Sequence, residues 1–480
     1  MPELAKLADE KKLMYAGAGI LLVSIGAAII ANEPLICLAP IAFLLAYQLL
    51  IDYRPVFYLL LLSTPVALEY QFESGLGTDI PTEPLEILLM FTFIFYVILQ
   101  KEHLRLEFFR HPISVIIYIH FAWILITTLF STDIAISFKY VLAKIWYITT
   151  FYFVAAHVMR KAEDFKIAFW LLFIPTLIVV INTLINHYNY QFRFSEVNKT
   201  MYPIFRNHVN YAVFLSLMLP FVFLASTWYK KYSWQKMLLN LSKLIFIAAI
   251  YFAYTRSSWL SVIAALAGFI IIRKRILGWA VAFAVVAVGV FAWYMLQNNT
   301  YLKYAPDYKK TIYHQDFSEH IASTATLEDV SSAERIYRWV AGINMIKEKP
   351  ITGFGPSQFY YNYKEYAVNK FTTYISRNEE KSTIHNYYLT ITCEQGFPGL
   401  LIWLVLIISV LMLGQKLYYR CSGETKLLAL TLTLSFITIL VNISLSDLIE
   451  ADKIGTMFFL IISLLVTIDI NSRKKIVSGE

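Results

Sequence analysis

The sequence predicts an all-α, multi-pass membrane protein with about 12–14 transmembrane helices and one large helical loop outside the cytoplasm. Three observations predict it. Of 480 residues, 58% are hydrophobic and only 15% are charged, and the mean hydropathy is +0.58. Soluble domains run nearer 45–50% apolar and about 25% charged. Apolar runs of about 16 to 22 residues recur, each long enough to cross a hydrocarbon core of about 30 Å as a helix. Finally, lysines and arginines fall in alternate connections between those runs, the pattern that orients membrane helices.

The runs lie near 13–31, 34–51, 55–70, 85–100, 113–130, 138–158 and 165–186. This group and its flanks, residues 1–204, carries few polar residues and reads as a transmembrane scaffold. Lys139 and Lys144 are exceptions. Lys139 can snorkel to the outer face, while Lys144 sits deeper, either internal to the bundle or near a phosphate. After a polar stretch at 187–208, runs near 209–228, 238–254, 257–273 and 277–296 form a second transmembrane group, 205–296. Residues 297–396 form the large outer loop. Runs near 397–415, 427–446 and 454–470 complete the chain in a C-terminal transmembrane group, 397–480.

Cations gather in one set of connections: Lys11, Arg54, Arg105, Arg160, Lys230, Arg273, Arg420, Arg473 and their neighbours. The alternate set, including 71–84, 131–137 and 446–453, is poor in them. Both termini are therefore expected in the cytoplasm, and 297–396 outside. The net charge of +8 follows from this bias and does not argue for nucleic acid. The first apolar run lacks a small-residue cleavage site and leads directly into another run, unlike a cleaved signal. Cys37, Cys393 and Cys421 fall at different depths and suggest neither a disulfide framework nor a metal cluster. There is no Walker loop, HExxH or C-x-x-C motif. His314 and His320 have no third ligand in view, so neither a metal nor a cofactor is expected.

The outer loop carries most of the chemistry. Ser331 and Glu334 fit a helix-starting capping box, and the helical pattern runs to Ile346. Lys349-Pro350 ends it, and Gly353 and Gly355-Pro356 force a turn. A short helix from about Thr383 to Gly396 follows, separated by Pro398-Gly399 from the next span. Arg335, Arg338, Trp339 and Gly342 share one helical face. Two guanidiniums on one face suit a diphosphate; the same spacing suits a solvated face with a Glu334–Arg338 pair. Arg256 sits in the tight turn TRSSW, either snorkelling or aimed into the mouth of the bundle. His385, with Asn386 beside it, is either a structural histidine or a general base and orienting group. Glu394 would lie roughly 13 Å from His385 along a continuous helix, too far for a direct pair. Tyr301, Tyr304, Tyr308, Tyr313, Tyr360, Tyr361, Tyr363, Tyr366 and Tyr374 fit an interfacial aromatic belt or platforms for sugar rings.

Three stretches in order resemble the O-antigen ligase family, which includes O-antigen polymerases and protein O-oligosaccharyltransferases. They are TRSSWLSVIAALAGF (255–269), ERIYRWVAGINMIKEKPITGFGPSQF (334–359) and HNYYLTITCEQGFPGLLIWL (385–404). The resemblance covers roughly residues 205 to 410. It implies a GT-C-like, metal-independent glycosyltransferase without a cofactor, multi-pass in a Gram-negative inner membrane and acting on its periplasmic face. The implied donor is a glycan on undecaprenyl pyrophosphate. The implied acceptor is a sugar hydroxyl of lipid A-core for a ligase, a lipid-linked repeat for a polymerase, or a protein. Arg256 and Arg335 would bind the pyrophosphate, with Arg338 and Arg206 as further candidates. His385 would activate the acceptor hydroxyl, and Asn386, Tyr388 and Trp339 are candidate sugar contacts. The span count read here is higher than the family usually shows. A transporter of lipid-linked glycans is the rival from another class. It would carry its charges near mid-membrane on broken, repeated helices, whereas here they cluster at the outer face.

Overall fold

A computed structural model describes residues 39–71, 77–99, 104–304, 330–368 and 383–478, with a few residues between 19 and 27. Among the described residues, eleven helices are long and apolar enough to cross a membrane. The protein is an all-α polytopic membrane protein with one short hairpin.

Helices α1 (Ala39–Ile51) and α2 (Arg54–Ser63) lead into an antiparallel hairpin of β1 (Leu68–Gln71) and β2 (Gly77–Ile80). The spanning helices follow: α3 (Thr82–Leu99), α4 (Pro112–Leu129), α5 (Ile134–Val158), α6 (Ala162–Asn189), α7 (His208–Ala225), α8 (Trp234–Phe252), α9 (Arg256–Arg273) and α10 (Leu277–Leu296). Beyond them come α11 (Val330–Glu348) and α12 (Phe359–Tyr366). The spans α13 (Tyr387–Arg420), α14 (Gly423–Ile443) and α15 (Asp452–Ser478) close the chain.

The expected span at 55–70 is replaced by ten helical residues, a 3-10 turn and the first strand. Ten residues rise about 15 Å, half a bilayer core. The expected span at 34–51 is a 13-residue helix, and the one at 13–31 lies almost wholly outside the described residues.

The core of the bundle is α15. Its apolar window is 94% buried, whereas that of α10 is 0% buried and lies at the edge. Beside α15, α5 widens into a π segment over Ile148–Val154, and the Ser463 hydroxyl donates to the Tyr152 carbonyl at 2.7 Å. Ring stacking of Trp403 and Phe436 on Phe458 joins α13 and α14 to α15. A second, smaller core of Tyr337, Val340, Ala341, Met345, Phe354, Phe359, Tyr363, Ile384 and Cys393 holds α11 and α12 against the start of α13.

The connections sort to two ends. At one end, Lys166 pairs with Glu424 at 3.0 Å and Lys474 with Glu107 at 3.1 Å. Asp469 there receives both Arg420 and Arg473, and Arg105 donates to Asn471 and to the Ala156 carbonyl. The cation-rich connections thus share one face. The opposite end gathers the hairpin, the 190–207 stretch, the 253–255 turn, the 350–359 loop, 383–386 and the 444–451 loop, joined by the bonds described next.

Candidate active site

The site is built on a break in α13. Gly396 has φ +70°, and a Cβ there would strike the Ile351 carbonyl. This left-handed, crowded position is one that only glycine fills without strain. The break frees backbone carbonyls, and the 350–359 loop uses them. Phe354 N–H donates to the Cys393 carbonyl at 3.0 Å and Gly355 N–H to that of Glu394 at 2.9 Å, while Phe397 N–H donates to the Pro350 carbonyl at 2.8 Å. The buried Glu394 carboxylate accepts from Ser357 N–H at 2.8 Å and Phe359 N–H at 3.1 Å, closing the start of α12. Glu394 thus ties the loop to the kink. The expected short helix before Pro398 is present, beginning at Tyr387 rather than Thr383.

His385 precedes α13. Its φ of +58° is uncommon for a side chain of this size. Its N–H donates to Asp447 Oδ2 at 3.0 Å, and Asp447 Oδ1 accepts the Thr390 hydroxyl at 2.9 Å. Burial raises the Asp447 carboxyl above its usual range. Asn386 is the N-cap of α13 and accepts Leu389 N–H at 3.0 Å.

Helix α11 brings the arginines. Arg338 is 5% exposed. It donates to the Thr383 carbonyl at 3.1 Å, pairs with Glu334 at 3.6 Å and lies 5.5 Å from the Tyr363 ring centre. The spacing compatible with a solvated ion pair thus yields a buried one that props the chain just before His385. Arg335 is half-buried. Burial first, then the charges of Arg335 and Arg338, push the His385 imidazole down to about 3. Histidine and both guanidiniums therefore share one electrostatic neighbourhood, and the imidazole is neutral at ordinary pH.

Arg256 is the first residue of α9 and half-buried. The preceding turn is fixed: Tyr254 (φ +53°) donates its hydroxyl to the Phe192 carbonyl at 2.6 Å, and the Thr255 hydroxyl reaches the His208 carbonyl at 3.3 Å. Trp259 donates to the Ile250 carbonyl and stacks on Tyr251. Tyr419, near the cation-rich end of α13, donates its hydroxyl to the carbonyls of Ile272 and Arg273 at the end of α9, so the start of α9 lies at the opposite end of the bundle. Arg206 is exposed on the wall of a cavity with Asn210, Glu450 and Asp452. Of the weaker candidates, Trp339 is half-buried against the small core, and Tyr388 turns its hydroxyl toward the Leu440 carbonyl. His314, His320, Tyr308, Tyr313 and Tyr374 lie outside the described residues.

Sequence reasoning missed the SDLIEADK loop at 446–453. Lys144, buried, pairs with Glu450 at 2.8 Å, and the hydroxyls of Tyr140 and Tyr387 donate to the same carboxylate at 3.1 and 2.6 Å. In the sequence this stretch is an ordinary polar connection; its role rests on partners brought from distant parts of the chain.

Residues 241–404 match the family model described as O-antigen ligase. Over that stretch the chain is similar to the O-antigen ligase family. The match spans about a third of the chain and begins later than the resemblance read from the motifs. It contains Arg256, Arg335, Arg338, Trp339, His385, Asn386 and Tyr388, the whole of α11 and the kink of α13. Arg206 and the 444–451 loop lie outside it. No curated protein shows significant similarity to the chain.

Proposed function

We propose that this protein transfers a glycan from undecaprenyl pyrophosphate to a sugar hydroxyl on the periplasmic face of a Gram-negative inner membrane. The observation that carries the reading is the neutral His385 imidazole held among the guanidiniums of α11 at the end opposite the cation-rich connections. By the positive-inside rule, that opposite end is periplasmic and both termini are cytoplasmic.

Arg335 and Arg256 bind the diphosphate. Arg338 acts through the Thr383 carbonyl, holding the backbone that carries His385. The acceptor hydroxyl donates its proton to the imidazole as its oxygen attacks the anomeric carbon. The bond from that carbon to the diphosphate oxygen breaks, and its electron pair leaves on the diphosphate. Fixed guanidiniums stabilise that charge without reorganising. Attack from the opposite face inverts the anomeric centre. A bound diphosphate also offsets the positive field that depresses His385, so the base strengthens when the donor is present.

The acceptor is lipid A-core in the ligase reading. A lipid-linked repeat or a protein would use the same donor site. The test is a reconstituted transfer assay with purified lipid-linked glycan, each acceptor class in turn, and EDTA present. Arg335→Ala and His385→Ala should lower kcat at least about 100-fold, with membrane insertion unchanged. Full activity of His385→Ala would remove the proposed base.

A further inference from the structure

Glu450 ends the 3-10 turn of the 444–451 loop. Its carboxylate joins three stretches of chain. From α5, the buried Lys144 ammonium reaches Oε1 at 3.0 Å and Oε2 at 2.8 Å. Tyr140, one turn earlier on the same face of α5, donates its hydroxyl to Oε1 at 3.1 Å. From α13, the Tyr387 hydroxyl donates to Oε1 at 2.6 Å. Lys144, which the sequence leaves between the bundle interior and a phosphate, is neutralised by this carboxylate. Charge-assisted bonds of this kind are about twice as strong as neutral ones, so Glu450 fastens its loop to α5.

The same loop grips the start of α13 at more than one point. Three residues before Glu450, Asp447 accepts the His385 N–H at 3.0 Å and the Thr390 hydroxyl at 2.9 Å. Tyr387 is 2% exposed, its ring edge-on to Trp403 with 5.2 Å between centres, so packing keeps its hydroxyl against Glu450. His385, two residues earlier, sits at φ +58°. Such a backbone conformation persists only where the surroundings over-determine it. A general base works only within hydrogen-bond reach of the proton it takes, and a displacement of about 1 Å costs on the order of 100-fold.

We propose that Glu450 is a positioning residue for His385: anchored to α5 by Lys144 and Tyr140, it holds the start of α13 through the Tyr387 hydroxyl and so sets where the imidazole meets the acceptor. The proposal rests on the reading of His385 as the group that activates an acceptor hydroxyl. It adds that the base is placed from α5 and the 444–451 loop, both outside the stretch that matches the family model. Glu450 keeps 34% of its side chain exposed and Lys144 only 8%. Removing the carboxylate alone strands a buried ammonium, so the test replaces both partners. In Lys144→Met/Glu450→Gln the amide oxygen still accepts the Tyr387 hydroxyl; in Lys144→Met/Glu450→Leu that acceptor is gone.

The test measures steady-state transfer by the purified full-length protein, with lipid-linked glycan as donor and rates scaled to folded protein by thermal unfolding. Tyr387→Phe should lower kcat about tenfold and leave the donor KM within about twofold. Lys144→Met/Glu450→Gln should keep kcat within about threefold of the wild type. Lys144→Met/Glu450→Leu should fall as far as Tyr387→Phe. Adding Tyr387→Phe to that pair should lower kcat no further, because both changes remove the same bond. A purely structural role would move melting temperatures without this pattern in kcat. Wild-type kcat in Tyr387→Phe, equal kcat in the two double variants, or additive losses in the triple variant each overturn the proposal. A wild type that transfers no glycan sinks the transferase reading and this proposal together; an active wild type with any of those three results sinks the positioning role alone.

Discussion

Arg335 and Arg338 stand one turn apart on α11 but do different work. Arg338 is buried with Glu334 and props the Thr383 carbonyl; Arg335 keeps part of its surface open. Removing one member of a buried pair costs about 3–5 kcal/mol, because the other charge stays behind. Arg338→Ala should therefore lower the thermal unfolding temperature markedly and lose activity as the 383–385 backbone shifts. Arg335→Ala should lose activity with a smaller drop in stability than Arg338→Ala. Equal melting temperatures for the two variants would contradict this division. The depressed imidazole gives a further expectation. With His385 down to about 3 in the free protein, it is neutral at every pH well above that value and charges only below it. Since kcat/KM reports ionisations of the free enzyme, it should show no acid break near 6.5 belonging to His385. Donor binding offsets the guanidinium charge, so the corresponding break in kcat should lie at higher pH than in kcat/KM. Profiles of the wild type and His385→Gln across pH 4 to 9 check the sign.

At the scale of elements, the 350–359 loop and the α13 kink are one device, each satisfying the backbone groups the other leaves open. Gly396→Ala puts a Cβ against the Ile351 carbonyl at a positive φ. It should destabilise by more than about 1 kcal/mol and reduce transfer even though it lies eleven positions from His385. A variant with normal stability would mean the kink relaxes without cost. Much of this device was legible, because glycine and proline punctuate locally: Gly353, Gly355-Pro356 and Pro398-Gly399 marked both the turn and the break. The helical pattern likewise foretold α11, observed at Val330–Glu348 against an expected 331–346, although Ser331 lies inside the helix rather than capping it. What escaped was non-local. The hairpin 68–80 looked like the tail of an apolar run and a polar loop, since two four-residue strands carry little periodicity. The acid-rich 446–453 loop acquires its meaning only when Lys144, Tyr387 and His385 arrive from distant stretches.

Over the whole molecule, hydropathy and charge determine more than motifs do. Among the eleven described spanning helices α15 is the most buried, and the alternation of cations separates the connections into two ends. The helices are insulated from water by lipid, so a long apolar run has few alternatives to spanning. The span count was harder, because the first runs are short and thirteen or ten apolar residues serve a bundle edge as readily as a crossing. The ends make opposite predictions. Tyr361 on α12 is 51% exposed at the site end, and Lys231 is exposed between α7 and α8 at the cation-rich end. In a Cys421→Ser background, Tyr361→Cys should react with a membrane-impermeant thiol reagent added outside spheroplasts. Lys231→Cys should react only after the membrane is opened. The reverse pattern would put Arg335 and His385 on the side of the membrane where the basic loops belong, away from a periplasmic acceptor. Two-sided labelling of both variants would mean the bundle inserts in mixed orientations, and the charge asymmetry would then fail as the basis of the assignment.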